Sequence, residues 1–140
     1  MSDASQEQSD RILDDEIVYR RIPSYPPFYK PDNWLTTANF KLDSRRNELG
    51  LSVYRTSIRS LEEVLSAVPN SFAVSASVRE IRNLTNAGGT PLNLDVLPID
   101  ESGTNPGHAE IYGPTPGHLT RSMTNALRNL FAKSGRLTVD

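Results

Sequence analysis

The clearest pattern of apolar and polar positions lies near the C-terminal end. Leu119, Met123, Ala126, Leu127, Leu130 and Phe131 recur at helical spacing and form one stripe. Arg121, Ser122, Asn125, Arg128, Asn129 and Lys133 fall elsewhere on the wheel, mostly toward water. The pattern predicts a long amphipathic helix. Thr115 is placed to cap it, and Pro116 to take its first position, where no N–H is missed. Gly135 is placed to end it in a left-handed conformation, with Lys133 facing the negative end of the helix dipole.

Earlier in the chain the period changes to two. Glu16 to Ile22 reads as a strand, with Ile17, Tyr19 and Arg21 on one side and Val18, Arg20 and Ile22 on the other. Gly50 to Thr56 is a second, with Leu51, Val53 and Arg55 opposite Ser52 and Tyr54. Phe72 to Ala76, Leu92 to Leu97 and Ala109 to Tyr112 follow, and Thr36 to Leu42 reads as one more short strand. Ser60 with Glu63 makes a capping box for a short helix that carries Leu61, Val64, Leu65 and Val68. Ser77 or Ser75 caps another, with Val78, Ile81 and Leu84 inward. This order predicts an α+β fold: a small mixed or mainly antiparallel sheet with about three helices packed on one side. Residues 11–137 are expected to form a single domain behind a polar, acidic, disordered tail at 1–10.

Charge and composition narrow the partners. A net charge of -2 gives no strong electrostatic basis for binding nucleic acid or an anionic membrane. No apolar run approaches the ~20 residues that span a bilayer. No basic-then-apolar leader opens the chain, so the expected setting is the cytoplasm. The absence of cysteine excludes a disulfide framework, a thiolate nucleophile and a cysteine-ligated metal.

The candidate chemistry is sparse. His108 and His118 each follow Pro-Gly; Glu110 shares a strand face with His108, and the Asp100-Glu101 pair lies nearby in sequence. No compact ligand motif joins them, and neither a metal nor a cofactor is expected. There is no Gly-x-Ser-x-Gly elbow, and Asn86 to Thr90 lacks the lysine of a phosphate loop. In order alone, Arg20 or Arg21, then Thr36-Thr37, then Glu110 resembles ADP-ribosyltransferase-like folds. That resemblance implies an arginine gripping phosphate or ribose and a glutamate stabilising an oxocarbenium-like centre. It supplies an alternative reading: a small nucleotide-acting enzyme or degenerate ADP-ribosyltransferase-like domain using Arg20, Thr37, Glu110 and His108.

A closer resemblance is to a set of small bacterial proteins without an assigned activity. It is carried by Tyr19 to Pro23, by Thr36 to Phe40 with Leu51 to Val53, and by Asn105 to Ala109, and covers residues 15–112. It implies a bacterial origin and brings no catalytic residue. The chain departs from that set in its proline-crowded aromatic loop.

That loop carries the leading reading. Tyr25, Phe28, Tyr29 and Trp34 are divided by Pro26, Pro27 and Pro31. Prolines lower the entropy lost on ordering, and rings offer area to bury. One reading packs the loop over the core. The other makes the chain a non-catalytic binding or accessory module that meets a larger bacterial protein partner through Tyr25, Phe28, Tyr29 and Trp34. Should the rings be structural, the outer face of the last helix at Arg121, Asn125 and Arg128 is the next surface to consider.

The tail generates a first prediction. Deleting residues 1–10 removes almost nothing able to be buried, so the melting temperature should stay within about a degree or two, a stability change under ~0.5 kcal/mol. A clear loss of stability in thermal unfolding would show that the tail docks on the domain.

Overall fold

The alternating segments meet in one five-stranded antiparallel sheet. The computed structural model describes residues 11–99 and 105–139; the tail at 1–10 and the Asp100-Glu101 pair lie outside them. The strands are β1 (Ile17–Pro23), β2 (Leu51–Arg55), β3 (Ser71–Ser77), β4 (Asp95–Pro98) and β5 (His108–Tyr112), in the spatial order β3-β1-β2-β5-β4. The helices are α1 (Leu61–Ser66), α2 (Val78–Arg82) and α3 (Arg121–Ala132).

Register decides what each face carries, because residues paired across strands point the same way. Val18, Arg20 and Ile22 pair with Ala76, Val74 and Phe72, while Leu51 and Val53 pair with Ile111 and Ala109. Apart from Arg20 these residues are buried and form the inner face. Met123, Leu127, Leu130 and Phe131 of α3 close over it, with Phe131 tilted against Phe40 at 5.5 Å between ring centroids. Val78 and Ile81 of α2 join the same core. Val64 of α1 is buried too but stands apart from that core; its carbonyl accepts from Arg21, a residue of the opposite sheet face, at 3.0 Å. Two helices therefore cover the inner face, and the short α1 lies toward the outer one.

The caps of α1 and α2 follow the sequence closely. Ser60 and Glu63 exchange both bonds of a capping box, each at 3.1 Å, and Ser77 accepts the N–H of Glu80 at 3.1 Å. Gly135 adopts φ +70° just beyond α3. Arginines fix the N-terminal approach. Arg82 donates to Asp14, Asp95 and the Ile12 carbonyl at 2.7–2.8 Å, and Ile12 is buried. Glu16 receives two bonds from Arg55 at 2.9 and 3.0 Å. Burial favours the neutral Glu16, but the bonds from Arg55 and from the Leu13 N–H outweigh it and hold the carboxyl below its ordinary range.

Four local expectations need correction. Thr36 to Leu42 is not a strand; Thr37–Phe40 forms a 3-10 helix. The Asn39 carbonyl is drawn inward by Arg20 instead of joining a ladder. Helix α3 begins at Arg121 with Thr120 as its cap, not at Pro116. Gly117, at φ +81°, donates its N–H to the Leu49 carbonyl at 2.9 Å, which breaks any helix before it. His118 accordingly sits in the approach loop rather than in a first helical turn. Leu92 and Leu94 are buried as their alternation requires, yet the strand starts only at Asp95, because Asn93 is left-handed at φ 57°. Arg128 does not simply face water: its Nε donates to the Leu35 carbonyl at 2.8 Å.

Leu127 is fully buried. Leu127→Ala should cost about 2–5 kcal/mol in chemical denaturation. Arg128→Ala loses a part-buried bond to the Leu35 carbonyl and an exposed one to Asn129 and should cost about 1 kcal/mol. Equal costs would contradict the inward placement of the α3 stripe.

Candidate functional site

The aromatic loop grows from the end of β1. Ser24 donates to the Asn70 carbonyl at 2.9 Å, and the Tyr25 carbonyl accepts the N–H groups of Phe28 and Tyr29 at 2.9 and 3.0 Å, closing a tight turn. Side chains then brace its backbone. Thr36 Oγ1 donates to the Pro27 carbonyl at 2.6 Å, and Asn39 Nδ2 to the carbonyls of Phe28 and Thr36 at 2.8 and 3.0 Å. Tyr29 and Trp34 flank Phe72 at 6.2 and 5.9 Å, and the Arg136 guanidinium lies over Phe72 and Tyr29 at 4.7 and 5.3 Å. Phe28, Tyr29 and Trp34 are partly buried against the core. Tyr25 differs: it is 52% exposed and meets Phe28 edge-on at 5.9 Å. Three of the candidate rings thus anchor the loop, and Tyr25 stands outward.

The alternative constellation is not assembled. Arg20 lies on the inner face, where Nε and Nη2 donate to the Asn39 carbonyl at 2.8 and 2.6 Å and Nη1 to the Ser52 carbonyl at 2.6 Å. Its guanidinium also covers Phe40 at 5.8 Å. Burial pushes it down to about 10, which leaves it charged at neutral pH. Each of its three nitrogens donates to a carbonyl rather than to a ligand. His108 and Glu110 belong to the outer face. Thr37 belongs to neither group and opens on a separate cavity.

The outer face holds a connected polar cluster of its own. Tyr54 is approached by the guanidinium groups of Arg21 and Arg59 at 5.5 and 5.3 Å and by the His108 ring at 5.7 Å. Arg59 is tied to the Asn105 side chain. Tyr112 donates to Glu110 at 2.6 Å, and burial together with that bond pushes its hydroxyl up to about 12. His108 Nε2 and Ser52 Oγ lie 3.1 Å apart. A hydroxyl beside an imidazole is a pairing used in nucleophilic catalysis, and spacing along the chain gives no hint of it. Here His108 is buried, and neither residue lines the large cavity. Among the described residues no group of three or more His, Asp or Glu is placed to hold a metal ion. No helix there is long and apolar enough to cross a membrane.

The cavity, of about 630 Å³, is walled by Thr37, Lys41, Leu42, the turn at Gly117, His118 and Leu119, and Arg121, Thr124 and Asn125 of α3. Sequence reasoning reached Arg121 and Asn125 only as part of an outer helix face, and it missed Lys41 and Leu42. The late start of α3 creates this space, and no periodicity signals it. Comparison with protein-family models, curated proteins and solved structures returns no match.

Proposed function

We propose that this chain is a non-catalytic accessory module that binds a larger protein partner through the aromatic corner at Tyr25. The observation that carries the reading is the contrast within one loop. Phe28, Tyr29 and Trp34 are held against the core, while Tyr25 projects from a backbone already fixed by Thr36 and Asn39. A ring presented on a rigid loop loses little entropy on binding, and interface anchors are typically aromatic. Pro26 and Pro27 are exposed beside it and extend a preorganised surface. The resemblance to small bacterial proteins implies a bacterial setting for the partner. The nucleotide-acting alternative built on Arg20 has less support, because Arg20 and Glu110 occupy opposite sheet faces, and Arg21, on the face of Glu110, is engaged with Tyr54 and the Val64 carbonyl.

Affinity capture from the native host tests this with Tyr25→Ala beside the unaltered chain. The substitution should weaken capture of a specific protein by ~2 kcal/mol or more, and the melting temperature should hardly move. Undiminished capture, or unfolding of the variant, would make the corner structural and end this reading.

A further inference from the structure

We infer that the cavity at the start of α3 binds a small phosphorylated molecule: a phosphate monoester with an apolar or ring-shaped body. Its volume of about 630 Å³ lies within the range of ~300–1,000 Å³ common for small-molecule sites. Two cations line it, Lys41 from just beyond the 3-10 helix and Arg121 from the first turn of α3, and no carboxylate does. Ion pairs among the described residues occur elsewhere: Arg45 with Asp43, Arg55 with Glu16, and Arg82 with Asp14 and Asp95. Neither the Lys41 ammonium nor the Arg121 guanidinium has a protein acceptor among the described residues. In a chain of net charge -2, two cations on one concavity with no carboxylate beside them make that surface locally positive and favour an anion.

The rest of the wall suits the same ligand. The Thr37 hydroxyl, the Asn125 amide and the His118 ring add hydrogen-bonding groups that make no bond within the described residues. Thr120 satisfies the N–H of Met123 at 3.2 Å. The N–H groups of Arg121 and Ser122, ahead of it, have no acceptor within the helix, and the positive end of the dipole adds to the two side chains. Leu42 and Leu119 give an apolar surface for the body of the ligand. Two cations match the charge of a phosphate monoester, roughly -1.5 to -2 at neutral pH, better than the single charge of a carboxylate. The site is distinct from the Tyr25 corner and does not rest on it.

The test is an amide-resolved NMR titration of the full chain with phenyl phosphate, and with benzyl alcohol as its uncharged counterpart. Phenyl phosphate should give saturable shifts confined to residues 37–42 and 117–125, weakened by added salt. In the double variant Lys41→Gln, Arg121→Gln its affinity should fall by about tenfold or more. No saturable shift, shifts centred elsewhere, equal binding by the double variant, or benzyl alcohol binding as tightly would each overturn the inference. If the double variant loses its folded spectrum, Asn125→Asp takes its place. That change sets a carboxylate in the wall and must weaken phenyl phosphate while sparing the fold; unchanged affinity would also overturn the inference.

Discussion

One guanidinium on the inner face of the sheet ties the 3-10 helix, and through it the aromatic loop, to the sheet. Arg20 belongs to a strand whose neighbours on that face, Val18 and Ile22, are fully buried, and a charge among them requires acceptors. It finds the carbonyls of Asn39 and Ser52, one in the 3-10 helix and one in β2. The charge remains because both carbonyls accept it and Phe40 offers its ring face. In satisfying itself Arg20 pins residues 37–40 to the sheet. Asn39, thus placed, turns its amide to Phe28 and Thr36, and Thr36 reaches Pro27. The aromatic corner and the Thr37 wall of the cavity both hang from that chain of bonds.

The two faces of the sheet answer different constraints. The inner face excludes water and is closed by α2, α3 and the Leu35-to-Phe40 segment. The outer face carries tyrosine, histidine, arginine and glutamate in contact with one another. Partners so near consume the chemistry that these residues would otherwise offer: Glu110 accepts from Tyr112, and both arginines lie over Tyr54. Lys41 and Arg121, which lack such partners among the described residues, stand together on the cavity where the chain bends into α3. Gly50 shows how closely neighbouring strands approach at the start of β2, since a Cβ there would meet the Ile111 carbonyl of β5 at 2.7 Å.

Legibility in the sequence followed the range of the interaction. The stripe of α3, the capping box at Ser60 and the alternation of β1 and β2 depend on residues a few positions apart, and these could be read directly. The segment at Thr36 to Leu42 could not, because its shape is set by Arg20, nineteen positions away in the bond to Asn39. The late start of α3 was hidden by two competing caps, Thr115 and Thr120, and was decided by a bond from Gly117 to distant Leu49. Both errors fall on the same cavity, so that site was the least legible part of the chain. The set Arg20, Thr37, Glu110 and His108 is not brought together for a related reason: sequence order says nothing about which face of a sheet a residue takes, and Arg20 lies on the face opposite Glu110 and His108.

The dependence on Arg20 is most directly tested by amide hydrogen exchange on Arg20→Met, which keeps much of the side-chain volume and removes the donors. Protection should fall selectively across residues 28–41, where the bonds through Asn39 and Thr36 are lost, while β4, β5 and the buried turns of α3 keep theirs. Uniform loss across the domain would make Arg20 an ordinary core residue, and unchanged protection at 28–41 would contradict its role as the clamp.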